Sequence, residues 1–96
     1  MNVRDFQKKI ESIYFARDAS RGWAGTFAWF AEEVGELARA RRKGTREELA
    51  AEFADCLAWL ATLASLEGVD LEEEAVRKYG NGCPRCGGTP CTCAGG

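Results

Sequence analysis

The stretch Gly44-Thr45-Arg46-Glu47-Glu48 decides how this chain folds, because it ends one helical segment and begins the next within five residues. A glycine such as Gly44 commonly ends a helix. Thr45 and Glu48 have the S/T-x-x-E form of a capping box, which begins a new helix. A connection this short makes the two helices antiparallel neighbours. The sequence therefore predicts a helical hairpin that turns at Gly44.

The rest of the chain has the same helical character. Apolar residues recur at spacings of three and four through the first eighty positions, and no segment alternates with the period of a strand. The predicted helices cover residues 3–18, from 23 or 26 to 43, 45–66 and 70–80, with Asp70 as the cap of the last. Residues 18–22 are expected to separate the first two helices. The predicted fold class is all-α, a bundle based on an antiparallel helical hairpin.

The composition excludes several classes of protein. The 96 residues include no histidine, which rules out catalytic triads with an imidazole base and His-ligated zinc or haem. A formal net charge of −2 gives no basic surface for non-specific nucleic-acid binding. The longest nearly apolar run, residues 56–66, is too short for a bilayer span, and residues 1–5 lack the apolar stretch of a secretory signal. We therefore expect a cytoplasmic protein that binds neither membrane nor nucleic acid.

Carboxylates are placed symmetrically about the turn. Glu36 and Glu52 each lie eight residues from Gly44, and Glu33 and Asp55 each lie eleven residues from it. Such positions are level with each other in an antiparallel hairpin, and the two tiers are about 4.5 Å apart along the axis. Carboxylates this close raise one another's pKa or recruit a cation. Oxygen ligands suit Mg²⁺ or Mn²⁺, so the spacing predicts a metal site, although a single E-x-x-E pair is usually a solvated face.

The aromatic residues continue this pattern. Trp29 and Trp59 each lie fifteen residues from Gly44, one turn beyond the acids. They can either pack in the core or form a wall on which a base stacks. Glu32 lies about 100° from Glu33 around the helix, which favours a solvated side chain.

The pattern Glu32-Glu33-Val34-Gly35-Glu36, followed after 15 residues by Glu52-Phe53-Ala54-Asp55, resembles the MazG-like nucleotide pyrophosphohydrolases, whose signature is EExxE, a short gap and ExxD. The resemblance covers about residues 3–79. It implies magnesium-dependent cleavage of a nucleoside triphosphate to the monophosphate and pyrophosphate. It also implies a four-helix core completed by dimerisation, in a homodimer or homotetramer. The metal ligands implied are Glu33, Glu36, Glu52 and Asp55, and the catalytic group implied is Glu32, Glu33 and Glu36.

Basic residues supply candidates for binding the phosphates. Lys78 belongs to a Lys78-Tyr79 pair that looks like the family's late Lys-aromatic element, and Arg17 and Arg21 precede the second helix. The predicted substrate-binding residues are Trp29, Trp59, Lys78 and Arg21. Two other functions are consistent with the residues: a non-catalytic helical interaction module with a zinc-stabilised tail, and a metal-binding or redox regulatory protein that acts through the tail.

The composition changes at residue 80, which divides the chain into a helical domain, residues 1–79, and a Cys-rich tail, residues 80–96. The tail contains the motif C-x2-C-x4-C-x-C, formed by Cys83, Cys86, Cys91 and Cys93. Four thiolates suit a tetrahedral structural Zn²⁺. Two local disulfides, a redox-sensitive tail and a disordered end are the alternatives. Cys56 lies on an apolar seam and is expected to be a small core residue.

Overall fold

The protein is all-helical, as the sequence predicts. The computed structural model describes residues 1–95. These residues form three α-helices and no strand. Helix α1 spans Val3–Lys43, α2 spans Arg46–Leu66 and α3 spans Leu71–Tyr79. The tail follows α3 without regular secondary structure up to residue 95. Gly96, the last residue of the predicted tail, lies outside the described residues.

Helix α1 has 41 residues and is kinked inside, so that the first two predicted helices correspond to the two helical parts on either side of the kink. Its single break is Gly22, with φ 85° and ψ 170°, a backbone conformation that favours glycine. The predicted glycine break is therefore confirmed, and the first helical part continues past residue 18 up to this glycine. Asp18 does not cap a helix end, because its carboxylate is buried and binds Arg21 and Thr62. The contact with Thr62 joins this part of α1 to α2.

The hairpin turn uses the cap that the sequence predicts. Thr45 Oγ1 accepts a hydrogen bond from the backbone N–H of Glu48 at 3.1 Å, and Glu48 Oε1 accepts one from the N–H of Thr45 at 3.0 Å. Gly44 ends α1 in extended backbone, with φ −90°, and donates its N–H to the carbonyl oxygen of Ala40 at 2.9 Å. Helix α2 then packs antiparallel to the second part of α1, as the short connection requires, and its C-terminal end also contacts the first part through Thr62 and Ser65.

Gln7 connects the start of α1 to the segment between α2 and α3. Its buried amide Nε2 donates to Ser65 Oγ at 3.0 Å and to the carbonyl oxygen of Val69 at 2.8 Å. Its Oε1 accepts a hydrogen bond from the N–H of Leu71 at 2.9 Å. One side chain thus satisfies polar groups at the end of α2 and the beginning of α3, and it holds the short α3 against α1.

Asp70 adds a second contact at the same junction. Its side chain caps α3 by accepting a hydrogen bond from the N–H of Glu73 at 2.8 Å, as the sequence predicts. The same carboxylate pairs with the Arg4 guanidinium at 2.7 Å. The hydrogen bond from Arg4 holds the pKa of Asp70 below its ordinary value.

The hydrophobic core of a single chain is small. Its buried hydrophobic side chains, within the residues described, are Ile10, Ala61 and Leu63. Large apolar side chains on the hairpin are exposed instead, among them Phe53 with 60% of its surface accessible and Val34 with 46%. A domain of this size ordinarily buries more than half of its unfolded surface. The apolar faces of the hairpin are therefore not covered within one chain.

Helix α2 is long and apolar enough to cross a membrane by length and composition alone. The 56–66 run considered from the sequence is shorter than the helix to which it belongs. Glu52 and Asp55 lie within this helix, and a charge such as Asp at the centre of a bilayer costs about 2.5–3.5 kcal/mol. Core helices of bundles have the same apolar composition. We therefore interpret the apolar surface of α2 as a face for protein contacts.

Replacing Gln7 by alanine tests the junction between α1 and α3. Gln7→Ala removes three hydrogen bonds and leaves polar groups at the junction without partners, so we expect the free energy of unfolding to fall by about 1–3 kcal/mol. Urea unfolding followed by circular dichroism measures the change. Lys8→Ala, at the exposed neighbouring position, is the control and should change stability by less than about 0.5 kcal/mol. Equal effects of the two substitutions would contradict this role for Gln7.

Candidate active site

Three carboxylates from the two arms of the hairpin converge. Glu33 of α1 and Glu52 and Asp55 of α2 each contribute a carboxylate oxygen, and these oxygens all lie within 4.8 Å of one another. Glu52 and Asp55 are three residues apart and therefore lie on one face of α2. The hairpin brings that face opposite Glu33. The spacing of these residues about Gly44 is what predicts this arrangement.

The acid cluster is electrostatically unfavourable without a cation. Burial raises the pKa of Glu33 above its ordinary value, and hydrogen bonding to Glu52 and the charges of Glu52, Asp55 and Glu36 raise it further. Among the described residues, the buried Oε2 of Glu52 has no hydrogen-bond partner, which is costly for a buried acceptor. A divalent cation would neutralise the repulsion between the carboxylates and would give Glu52 Oε2 a partner. Carboxylate oxygens are the ligands that Mg²⁺ and Mn²⁺ prefer.

Glu36 and Glu32 lie outside the cluster of three. Glu36 is exposed, lines a shallow cavity together with Glu52, and contributes its charge to the raised pKa of Glu33. Glu32 is also exposed. The structure therefore brings three of the four predicted ligands together and places Glu36 beside them. The ligand role of Glu36 and the catalytic role of Glu32 stay predictions.

Cys56 follows Asp55 and contacts the other arm of the hairpin. Its Sγ donates a weak hydrogen bond to the backbone carbonyl oxygen of Glu33 at 3.5 Å. The side chain is half-buried, and burial raises the pKa of its thiol. Cys56 therefore packs between the two helices, but it is only half-buried and does not belong to the buried core, in which the sequence predicts it to lie.

A cavity of about 310 Å³ opens next to Asp55. One of its walls is formed by Trp29 and Trp59, whose rings stack with centroids 6.1 Å apart and planes 9° from parallel. The register of the hairpin predicts that these two residues are level. The Arg21 guanidinium lies 5.2 Å from the centroid of the Trp59 ring, a cation–π contact. The cavity thus joins an aromatic wall to the edge of the acid cluster.

Asp18 and Thr62 also line this cavity, and neither was predicted to belong to the site. Asp18 is only 4% exposed, accepts a hydrogen bond from Thr62 Oγ1 at 3.1 Å and pairs with Arg21 Nη1 at 2.9 Å. Asp18 thereby holds Arg21 in its place over Trp59. The only signal in the sequence was the spacing of Asp18 and Arg21 by three residues, which ordinarily indicates a surface ion pair on a helix.

The predicted cationic residues separate into two groups. Arg17 and Arg21 line the cavity beside Asp55. Lys78 lies near the end of α3, where its Nζ is 5.7 Å from the centroid of the Tyr79 ring, and it does not line this cavity. The geometry therefore places the two arginines near the acids, and the role of Lys78 in binding substrate stays a prediction.

The four cysteines of the tail form a second cluster. One sulfur atom from each of Cys83, Cys86, Cys91 and Cys93 lies within 4.8 Å of all the others. All four are free thiols. Hydrogen bonds from the backbone N–H groups of Thr92 and Gly88 lower the pKa of Cys86 to about 6. These soft ligands form a cluster that could hold a metal ion and that differs in chemistry from the acids of the hairpin.

The hairpin thus gathers carboxylates that could hold a divalent metal beside an aromatic cavity. Residues 23–87 match the MazG nucleotide pyrophosphohydrolase domain. This chain belongs to that family, as the EExxE and ExxD motifs indicate. The match begins directly after the Gly22 break and includes every acid of the cluster. Enzymes of this type depend on a divalent metal.

A curated relative supports the same assignment. The histidine biosynthesis bifunctional protein HisIE of Aquifex aeolicus (strain VF5) is 34% identical to this chain over 76 residues. The alignment covers 76% of this chain and 37% of the relative. The chain thus spans little more than a third of that protein's length.

The raised pKa of Glu33 predicts how stability depends on pH in the metal-free protein. A carboxyl whose pKa is raised on folding contributes stability that is fully present below its unfolded-state pKa, near 4.5, and lost as the pH rises through the higher folded value. We therefore expect Glu33→Gln to be more stable than the wild type above that range, because the amide carries no charge. Thermal unfolding in the presence of a chelator, from acidic to mildly alkaline pH, measures the difference.

Glu32→Gln is the matched control, since it removes an exposed charge one residue away on the same helix. The stability advantage of Glu33→Gln should grow with pH, and that of Glu32→Gln should not. Added Mg²⁺ should reverse the order, because the wild type gains stability from binding the cation. If the stability of the two variants changed with pH in the same way, the acid cluster would not destabilise the folded protein.

Proposed function

We propose that this protein hydrolyses nucleoside triphosphates to the nucleoside monophosphate and pyrophosphate, with Mg²⁺, or Mn²⁺ in its place, as cofactor. The observation that carries the proposal is the convergence of Glu33, Glu52 and Asp55 at the edge of a cavity large enough for a ligand. Membership of the MazG nucleotide pyrophosphohydrolase family supports this class of reaction.

The acidic residues divide between holding the metal and moving a proton. Glu33, Glu52 and Asp55 would hold the cation, whose charge offsets that of the polyphosphate and lowers the pKa of the attacking water. Glu36 lies beside these ligands and outside their tight cluster, so its carboxylate is available to accept the proton of that water. Glu32, the leading glutamate of the motif, is exposed, and we assign it to the catalytic group together with Glu33 and Glu36.

The cavity would bind the rest of the nucleotide. A base can stack against the tryptophan wall formed by Trp29 and Trp59. Asp18 offsets much of the charge of Arg21, so Arg17 supplies most of the positive charge that attracts the phosphates. Lys78 does not line this cavity, so we propose that it binds phosphate from a second copy of the protein.

The relative from Aquifex aeolicus favours a second candidate substrate. Its name places it in histidine biosynthesis, and its 34% identity covers most of this chain. A nucleotide intermediate of histidine biosynthesis, with the same metal-dependent cleavage, is therefore the alternative to a free nucleoside triphosphate. Both candidates use the same acids and differ in what the aromatic cavity must accept.

Product analysis tests the proposed reaction. We expect Mg²⁺ and a panel of nucleoside triphosphates to give the monophosphate and pyrophosphate, rather than the diphosphate and orthophosphate. Glu52→Gln should lower kcat/KM by at least about 100-fold, since it removes a carboxylate ligand without changing the size of the side chain. Glu47→Gln, an exposed residue in the first turn of α2, is the control and should retain activity.

Three other outcomes are informative. Cleavage of only a histidine-biosynthetic nucleotide would establish the second candidate. Release of orthophosphate would contradict the proposed site of cleavage. No turnover of any of these nucleotides with Mg²⁺ or Mn²⁺ would favour the non-catalytic interaction module.

We further propose that the chain works as a homodimer, or as a pair of dimers, in the cytoplasm. Phe53, Leu57 and Leu60 form a stripe on α2, with 60%, 40% and 41% of their surfaces exposed, and a second copy of the hairpin would cover them and complete a four-helix core. The free thiols of the chain suit a reducing compartment.

A charge on this stripe tests the dimer. Leu57→Lys would place an ammonium group in the proposed interface, so we expect the variant to sediment as a monomer, with a helical signal weaker than that of the wild type. Glu47→Lys introduces a lysine off the stripe and should keep the dimer. Sedimentation velocity measures both. A wild-type monomer at micromolar concentration would contradict the proposal.

A further inference from the structure

The four tail cysteines have no part in the proposed hydrolysis, and their geometry is that of a separate metal site. A tetrahedral zinc ion with Zn–S bonds of about 2.3 Å requires its sulfur ligands to be about 3.8 Å apart. The sulfur atoms of Cys83 and Cys93 are 3.7 Å apart, and those of Cys86 and Cys91 are 4.0 Å apart. A disulfide would require about 2.05 Å. The cluster therefore has the spacing of ligands around one ion rather than of two covalent bridges.

The backbone is shaped to bring the first two sulfurs together. The N–H of Gly87 donates to the carbonyl oxygen of Cys83 at 2.7 Å, and the N–H of Cys83 donates to the carbonyl oxygen of Gly88 at 3.0 Å. Gly82 has φ 104°, and a Cβ there would lie 2.7 Å from Thr89 Oγ1. A side chain at Gly82 would therefore force this closed turn open.

Backbone N–H groups also point at the sulfur atoms. Thr92 and Gly88 donate to Cys86 Sγ at 3.3 Å and 3.4 Å, and Cys93 donates to Cys91 Sγ at 3.3 Å. Hydrogen bonds of this kind orient metal ligands and disperse the negative charge of thiolates. Two of the four sulfurs therefore have hydrogen-bond donors arranged for thiolate ligands.

Nothing else in the described part of the tail is able to hold it in this shape. No residue from 80 to 95 is buried, so the segment has no hydrophobic core. Two backbone bonds join it to the end of α3, one from the N–H of Gly80 to the carbonyl oxygen of Val76 at 2.8 Å and one from the N–H of Gly82 to the carbonyl oxygen of Tyr79 at 3.1 Å. A segment this short needs a cross-link to keep one conformation. In small metal-binding units, the metal supplies that cross-link and its binding energy drives folding.

We propose that Cys83, Cys86, Cys91 and Cys93 bind one Zn²⁺ per chain in a closed, structural site. Soft thiolates select zinc over the magnesium that the hairpin carboxylates prefer. Four protein ligands fill the tetrahedral coordination sphere, so the ion has no open position for a substrate or water. Zinc therefore folds the tail and takes no part in catalysis.

Metal analysis of the full-length protein tests this site independently of any activity. After reduction, reconstitution with excess Zn²⁺ and gel filtration, we expect one zinc per chain by elemental analysis or native mass spectrometry. Co²⁺ in place of zinc should give the visible absorption of a tetrahedral thiolate site. Cys86→Ser should lower the zinc content severalfold, and Cys56→Ser, which removes the fifth cysteine from α2, should leave it unchanged.

If zinc has a structural role, two further results are expected with the same proteins. Because the tail is joined to the helices only at its start, Cys86→Ser should keep the helical signal of the wild type in circular dichroism. In zinc-loaded wild type, residues 83–93 should resist a protease that cleaves after arginine at Arg85, and zinc removal should expose this bond. A reconstituted wild type without stoichiometric zinc, a mass showing two disulfides under reducing conditions, or preferential loading with iron would overturn the assignment. None of these readouts depends on whether the acid cluster hydrolyses nucleotides.

Discussion

The capped turn at Gly44 and Thr45 fixes the register of the hairpin, and the candidate active site depends on that register. A slip of one residue would move α2 by about 1.5 Å along its axis and rotate its side chains by about 100°. Glu52 and Asp55 would then no longer face Glu33. The reciprocal bonds between Thr45 and Glu48 therefore do more than begin a helix, because they set which side chains meet more than two turns away.

Packing around the acids holds together groups that repel one another. The stacked rings of Trp29 and Trp59 lie one turn beyond the cluster, and Cys56 joins α2 to the backbone of Glu33. These neutral contacts keep the carboxylates close in spite of the raised pKa of Glu33. Binding sites commonly reduce stability in this way, and the ligand restores it. The acid cluster does not stabilise the metal-free protein. A role in binding a cation therefore explains better why these carboxylates lie so close together.

The parts of the structure that follow local rules could be predicted from the sequence. Caps and hairpin register depend on residues close to the turn, so their positions were correct. The burial of Asp18 could not be predicted, because it accompanies a hydrogen bond from Thr62, which is 44 residues away in the chain. For the same reason, the sequence did not predict that Asp18 and Thr62 form the polar side of the cavity. The position of Glu36 outside the tight cluster follows from side-chain geometry that register alone does not determine.

The absence of histidine gives the two proposed metal sites a clean chemical separation. Imidazole binds many metals, whereas the two ligand clusters in the described residues consist of hard carboxylate oxygens on the hairpin and soft thiolates in the tail. The oxygen cluster suits an ion that exchanges ligands readily and keeps bound water, as catalysis requires. The sulfur cluster suits an ion that remains bound and has all its coordination positions filled by protein ligands. Because the ligand types do not overlap, a chain of 96 residues can keep a reactive cation and a structural one apart without a large protein shell around either.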